Sequence, residues 1–83
     1  MTEPIFKQVR NLASDLFRVP AQEIRESSSP QNVETWDSTQ HLNLVLALEE
    51  KFQLELLPEE IDEMKSIGDV VRIVENKLQA ANR

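Results

Sequence analysis

The sequence predicts an all-α fold, a four-helix bundle with a long first loop and a short third helix. Gly68 is the single glycine of the 83 residues, and so few turn-forming residues argue against an all-β fold. Leu, Glu, Gln and Lys, which favour helices, are abundant. Apolar residues also recur at helical spacing. A chain of this length forms one domain, residues 1–83, and because it has no cysteine its stability must come from packing.

The first predicted helix covers residues 4–17. Its apolar face repeats every three or four residues and consists of Ile5, Val9, Leu12 and Leu16. Thr2 is a suitable N-cap residue, and Pro4 is tolerated in a first turn because no intrahelical N–H bond is lost there. Pro20 prevents the helix from continuing.

A long connection over residues 18–37 follows. The run Ser-Ser-Ser-Pro at 27–30 interrupts regular structure, and a short turn is expected near 21–25. A loop of this length inside a compact domain is often functional. We expect three apolar residues to tether it to the core, namely Val19, Ile24 and Val33.

The second predicted helix, residues 38–52, has two apolar faces. Asp37 and Ser38 are both good capping residues at its start. At about 100° per residue, one face is a core stripe of Leu44, Val45, Leu48 and Phe52. The second face begins beside Ser38 and comprises Thr39, Leu42 and Leu46, with Asn43 and Glu50 at its border. Either the helix is enclosed on several sides, or the second face is a partner-binding patch.

Two shorter segments predict the third and fourth helices. Residues 58–64 begin with Pro-Glu-Glu, which suits a first helical turn because acidic side chains face the positive end of the helix dipole. Ser66 and Asp69 form a variant capping box that opens a helix over 67–78. Its buried face should consist of Ile67, Val70, Val71, Val74 and Leu78. Residues 80–83 should fray.

The chain is acidic, with a formal net charge of −6 and a cluster of acids within residues 49–63. A surface of this sign repels nucleic acid and anionic membranes and attracts basic protein surfaces. No apolar run approaches the length of a membrane-spanning helix, and the first residues lack the basic and apolar regions of a signal peptide. We therefore expect a soluble, cytoplasmic monomer that binds no nucleic acid and does not insert into a membrane.

The residues offer no catalytic site. Activation of a serine needs a base and a third orienting group, and Ser38 has no Gly-x-Ser-x-Gly elbow around it. The single histidine, His41, lies on the core side of the helix, where a half-buried structural role is expected. With no Cys–His pair, glycine-rich phosphate loop or calcium-loop motif, we expect neither an enzyme nor a specific metal site. Taken alone, Asp37 and Ser38 are most simply a helix cap.

The segment 36–52, WDSTQHLNLVLALEEKF, resembles the core of acyl and peptidyl carrier proteins. That family has an Asp-Ser-Leu motif and then a helix ending in a Leu-Glu-Glu-x-Phe type sequence, which residues 48–52 match at the right distance. Leu-Pro-Glu-Glu at 57–60 and Ser-Ile-Gly-Asp-Val at 66–70 resemble the starts of the family's short third helix and of its fourth. The long first loop is also a family feature. The resemblance thus covers nearly the whole chain and implies an acyl-carrier-protein-like fold.

The resemblance implies that a phosphopantetheinyl transferase attaches 4′-phosphopantetheine from coenzyme A to Ser38, with magnesium. The thiol of this arm would bear acyl or aminoacyl groups as thioesters, as in fatty acid or polyketide biosynthesis, while the carrier itself catalyses nothing. Asp37 would help to position the metal or basic groups of the transferase. Acyl-loading and acyl-transfer enzymes with basic docking surfaces would contact Thr39, Leu42, Leu46, Glu49 and Glu50.

Two departures from the family pattern stand beside Ser38. Thr39 occupies a position where the family usually has Leu or Met, and Trp36 precedes the Asp where many members have other residues. In this respect the chain resembles stand-alone carriers of specialised pathways, and the cargo stays open. The alternative is an unmodified, acidic, helical protein-interaction module that uses the same leucines. Whether the protein is a carrier or an interaction module, repulsion among its clustered carboxylates predicts that magnesium or calcium modestly stabilises the fold.

Overall fold

The structure, a computed structural model, describes residues 4–81, and that part of the chain contains four α-helices and no strand. The helices are α1 (Ile5–Phe17), α2 (Ser38–Phe52), α3 (Pro58–Asp62) and α4 (Ile67–Ala81). A single 3₁₀ turn, Ala21–Glu23, interrupts the long first loop. The all-α prediction is confirmed, and the bounds of α2 agree with the sequence pattern. The expected cap at Thr2 lies outside the described residues.

Two helix ends differ from the predicted ones. The third helix stops at Asp62 instead of residue 64, because the chain tightens there and the N–H of Met64 donates to the carbonyl of Ile61, three residues back, at 3.2 Å. The fourth helix continues to Ala81, so the prediction that residues 80 and 81 fray is wrong, while residues 82 and 83 lie outside the described range.

The core lies where α1 packs against α2 and α4. The largest fully buried side chains come from all three helices and are Val9, Phe17, Leu44, Leu48, Ile67, Val70 and Val74. The predicted core stripe of α2 is buried at Leu44, Val45 and Leu48, whereas Phe52 is partly buried against the core. The periodicity of the sequence therefore gives most of the inward face of each long helix. It missed Ile73 of α4, which is 5% exposed, while Val71 and Leu78 of the predicted face are only partly buried.

The long first loop is fixed to the core and to the start of α4. As expected, Ile24 and Val33 are buried and Val19 packs against the core. The N–H of Ile67 donates to the carbonyl of Ser28 at 2.9 Å, and the N–H of Gly68 donates to the carbonyl of Glu26 at 2.8 Å. These bonds satisfy N–H groups that the first turn of a helix leaves without intrahelical partners.

Gly68 allows this close approach of loop and helix. A Cβ atom at position 68 would lie 3.2 Å from the carbonyl oxygen of Glu26, which is tighter than ordinary van der Waals contact. The hydroxyl of Ser66 accepts from the N–H of Asp69 at 3.2 Å, as the predicted capping box requires. The only glycine of the chain is thus placed where the loop is joined to α4.

Candidate functional site around Ser38

Ser38 is exposed at the first position of α2, and its neighbour Asp37 supplies the helix cap. The Asp37 carboxylate accepts from the N–H of Gln40 at 2.9 Å, and the Asp37 carbonyl accepts from the N–H of His41 at 2.8 Å. Within residues 4–81 no hydrogen bond is formed by the Ser38 hydroxyl or by the N–H groups of Ser38 and Thr39. The simple cap explanation therefore applies to Asp37, and the hydroxyl of Ser38 is free to react.

The segment before Ser38 is anchored to the end of α1. Trp36 is only 2% exposed, and its ring stacks on Phe17 with 5.1 Å between centroids. The Thr35 hydroxyl donates to the carbonyl of Phe17 at 2.7 Å. The N–H of Trp36 also donates to the carbonyl of Val33 at 3.0 Å. The start of α2 is consequently held in place from the loop side as well as from the core side.

Beneath Ser38, a chain of hydrogen bonds links Trp36, His41 and Ile61. The indole N–H of Trp36 donates to His41 Nδ1 at 3.0 Å, and His41 Nε2 lies 3.1 Å from the carbonyl oxygen of Ile61. An indole N–H can only donate, so Nδ1 is the acceptor and the proton of the neutral ring lies on Nε2, which donates to Ile61. His41 is half-buried, as predicted, and its hydrogen bonds agree with the predicted structural role.

The part played by Trp36 was not foreseen from the sequence. The residue was treated as a variation before the Asp, yet it is a buried core residue that contacts both Phe17 and His41. A possible signal is the pairing of the only tryptophan with the only histidine five positions later, at the start of a helix. That spacing alone does not reveal the bond, because it depends on how the loop turns into α2.

The second face of α2 lies open. Leu42 is 58% exposed and Leu46 is 63% exposed, and Thr39 and Glu50 are also exposed. The explanation that α2 is enclosed on this side is therefore wrong for the described part of the chain. A third exposed leucine, Leu57 at 47%, follows in the link before α3 and was not picked out from the sequence. We call Leu42 and Leu46, which lie one turn apart on α2, the exposed leucine patch.

Glu49 and Glu50, adjacent in sequence, have different surroundings. One carboxylate oxygen of Glu49 accepts from the N–H of Leu56 at 2.9 Å, which fixes the link after α2, whereas Glu50 is exposed to solvent. A partner-binding role for Glu49 stays a prediction, and its carboxylate keeps free lone pairs beside the bond to Leu56. Glu50 is the freer of the two acids for contact with a basic partner.

The short helix α3 is held by Glu60. Its Oε1 accepts from the N–H of Leu57 at 2.8 Å and lies 2.9 Å from Lys77 Nζ on α4. Burial raises the pKa of Glu60, but the hydrogen bonds from Lys77 and Leu57 and the positive charge of Lys77 together bring it below the ordinary value. The ionised form of Glu60 thus joins α3 to α4.

A groove of about 980 Å³ opens beside Ser38 between the first loop, α2, α3 and the start of α4. Its apolar lining is provided by Trp36, Leu42, Ile61 and Met64. Its charged lining consists of Asp37, Asp62, Lys65 and Asp69. A ligand attached to Ser38 can therefore rest on an apolar surface edged by charges.

The described residues show neither a metal centre nor a membrane span. No three His, Cys, Asp or Glu side chains among them are grouped so as to hold a metal ion. In the same part of the chain, no helix combines the length and the apolar character that crossing a membrane requires.

Comparison with known proteins gives a match in structure but none to a family model. No family model matches the chain. The solution structure of the holo acyl carrier protein of Geobacter metallireducens matches with a TM-score of 0.85 and 22% sequence identity. The match covers 96% of this chain and 92% of that protein. At this identity the likeness shows the fold, which is the helical fold of an acyl carrier protein.

Proposed function

We propose that this protein is an acyl carrier protein that bears its cargo on a 4′-phosphopantetheine arm attached to Ser38. The single observation that carries the proposal is the free, exposed hydroxyl of Ser38 at the start of α2, in a fold shared with a holo acyl carrier protein. When bound, the arm supplies a thiol that holds acyl or aminoacyl groups as thioesters. The carrier presents these groups to other enzymes and performs no catalysis itself.

The residues around Ser38 fit such an arm. The positive end of the α2 dipole and the unused N–H groups of Ser38 and Thr39 favour a phosphodiester at this position. Asp37 keeps the first turn of the helix formed without using the Ser38 hydroxyl. The adjoining groove gives the arm an apolar surface at Leu42, which is 58% exposed, and at the half-buried Ile61.

The attachment step would be a phosphoryl transfer catalysed by a phosphopantetheinyl transferase. Ser38 Oγ forms a bond to the phosphorus that bears pantetheine, and the pyrophosphate bond of coenzyme A breaks. Adenosine 3′,5′-bisphosphate leaves, and the serine proton passes to a base on the transferase. Asp37, exposed next to Ser38, is the residue of this chain best placed to meet the metal or basic groups of that enzyme.

The surface beside Ser38 supports docking of partner enzymes. The exposed leucine patch supplies apolar contact area, and Glu50 adds an acidic edge that attracts basic partners. Thr39 is exposed between Ser38 and the patch, where it makes the contact surface smaller than a leucine would. We assign these residues to the same function as the arm, because a partner enzyme must contact the carrier surface while it reaches the cargo.

Intact mass spectrometry after incubation with coenzyme A, magnesium and a broad-specificity transferase tests the proposal. We expect one phosphopantetheinyl increment on wild type and none on Ser38→Ala. Ser27→Ala is the matched control, since Ser27 is an exposed loop serine whose removal should leave loading unchanged. A wild-type chain that stays unmodified, while an established carrier is modified in parallel, would contradict the proposal.

A second candidate function is an unmodified protein-interaction module, which the exposed leucine patch favours. In that case a basic partner protein would bind the apo chain and Ser38→Ala with equal affinity, and Leu46→Glu would abolish binding. If carrier function is correct, binding of acyl-transfer enzymes depends on the arm, and Ser38→Ala weakens it. Comparison of these two variants by titration calorimetry separates the two functions.

A further inference from the structure

Lys65 is the one cationic side chain that lines the groove beside Ser38, as far as the described residues show. The other charged groups of the groove are the carboxylates of Asp37, Asp62 and Asp69. Asp69 lies 3.4 Å from Arg72, an ion pair next to it on α4. Lys65 itself is exposed and forms no ion pair within residues 4–81. The lining of the groove thus includes a lysine that has no ion-pair partner among the described residues.

The backbone around Lys65 is well fixed, although the side chain is free. Lys65 lies between the buried residues Met64 and Ile67, which are 3% and 1% exposed. Its own N–H donates to the carbonyl of Glu63 at 2.9 Å in the turn that joins α3 to α4. The main chain that carries Lys65 is therefore held by buried residues on both sides, at the lining of the groove.

An arm on Ser38 introduces a new negative charge into this acidic groove. The phosphodiester forms next to Asp37 and within the field of Asp62 and Asp69, all of which repel it. The start of α2 offsets part of that repulsion through its dipole. Lys65 is the only side chain of the groove, in the described part of the chain, that can oppose it with a full positive charge.

We propose that Lys65 is a positioning residue that binds the phosphate of the arm and directs the arm across the groove, over Leu42 and Ile61. This inference rests on the carrier function proposed above. Arginine in place of Lys65 retains the interaction, because both cations pair with phosphate oxygens. Glutamine removes the charge, and glutamate adds a fourth carboxylate that expels the phosphate from the groove.

Phosphorus NMR of the holo protein tests the role of Lys65. Wild type, Lys65→Arg, Lys65→Gln and Lys65→Glu are converted to the holo form, and loading is verified by intact mass before each spectrum. Lys51→Gln is the matched control, because Lys51 is an exposed lysine at the far end of α2 and does not line the groove. Each phosphorus shift is followed from about 0.1 M to about 1 M salt, over which the Debye length falls from about 10 Å to about 3 Å.

We expect the phosphorus resonance of wild type, Lys65→Arg and Lys51→Gln to move with salt towards the position found for Lys65→Gln. Lys65→Gln and Lys65→Glu should lose this salt-dependent shift and give narrower lines, because the phosphate is released into solvent. Identical shifts and salt responses in wild type and Lys65→Gln would overturn the inference and leave the carrier function intact. Failure of the wild-type chain to load would contradict the carrier function, and with it this inference.

Discussion

At the residue scale, two adjacent polar side chains divide the work at the start of α2. Asp37 caps the helix through its carboxylate, and Ser38 keeps a free hydroxyl one position later. A single residue could not do both, because a serine that caps a helix accepts from a backbone N–H and turns its oxygen towards the helix. Under the proposed function, the separation of the two tasks would let Ser38 take up the arm without loss of the cap.

This division predicts unequal effects of two neighbouring substitutions on stability. Asp37→Ala should lower the free energy of unfolding by about 1 kcal/mol, because the N–H of Gln40 loses its acceptor. Ser38→Ala should change it by less than about 0.5 kcal/mol, since the hydroxyl makes no bond in the described residues. Urea denaturation of both variants measures these values. A larger loss for Ser38→Ala than for Asp37→Ala would show that the capping assignment is wrong.

His41 predicts a further effect on stability. His41→Phe leaves the buried indole N–H of Trp36 without an acceptor and the carbonyl of Ile61 without its donor, so it should cost about 1–3 kcal/mol. His41→Gln keeps an amide that can accept and donate, and should lose less. Asn43→Ala, an exposed change on the same helix, is the control. Equal stability of His41→Phe and wild type in urea would contradict the bond to Trp36.

At the scale of elements, α3 depends on its neighbours. It is a five-residue helix, too short to be stable alone, and is tied to α2 through the carbonyl of Ile61 and to α4 through Glu60 and Lys77. The sequence predicted where α3 begins, from Pro58 and the acids after it. Its end could not be predicted, because the tightening at Met64 follows from burial of that side chain against the core.

The Glu60–Lys77 pair predicts a pH dependence of stability. The pKa of Glu60 is lower in the folded protein than the ordinary value of 4.5. The contribution of ionised Glu60 to the free energy of unfolding is therefore fully present above pH 4.5, and it is lost as the pH falls through the pKa of the folded protein. Lys77→Gln should therefore lower the free energy of unfolding by about 0.5 kcal/mol at neutral pH, a value set by partial exposure. The difference from wild type should shrink towards zero in acid.

Chemical denaturation of wild type and Lys77→Gln across that pH range measures the effect. Arg72→Gln is a suitable control, because Arg72 pairs with Asp69 on the surface of the same helix and does not contact α3. A difference between Lys77→Gln and wild type that grows as the pH falls would contradict the assigned direction of the Glu60 pKa.

The long helices and the loop show what a sequence pattern does and does not predict. Apolar periodicity predicted most of the inward faces of α1, α2 and α4, because burial of a helix face depends on residue spacing, but it missed the buried Ile73. The attachment of the loop to α4 uses main-chain bonds at Ile67 and Gly68, which leave no pattern of side-chain types. The groove beside Ser38 could not be predicted for the same reason, since it forms from the first loop and helices that meet only in the fold.

At the scale of the whole molecule, negative charge is concentrated in one part of the chain. Residues 26–63 carry ten of the 15 Asp and Glu residues and only one Lys, at position 51. This stretch contains α2, α3 and the loop before them, the same elements that surround Ser38. The acidic region should attract partners with basic docking surfaces and also lower the stability of the free protein by self-repulsion.

Divalent cations should relieve that repulsion. Millimolar magnesium or calcium is expected to stabilise the fold by about 0.5 kcal/mol, which raises Tm by roughly 2–4 °C for a domain of this size. The binding is diffuse, because no cluster of ligands among the described residues could hold one ion. Calorimetry with sodium chloride at matched ionic strength supplies the control, and an unchanged Tm would count against the expectation.

The most direct test of the account locates the arm on the chain. After loading with coenzyme A and a transferase, trypsin should release the fragment 26–51, bounded by Arg25 and Lys51, with one phosphopantetheinyl group. Fragmentation of this peptide should place the group on Ser38 and leave the neighbouring hydroxyl of Thr39 and the serines at 27–29 unmodified. A group found on any of those other residues, or no group at all beside a loaded control carrier, would contradict the central claim.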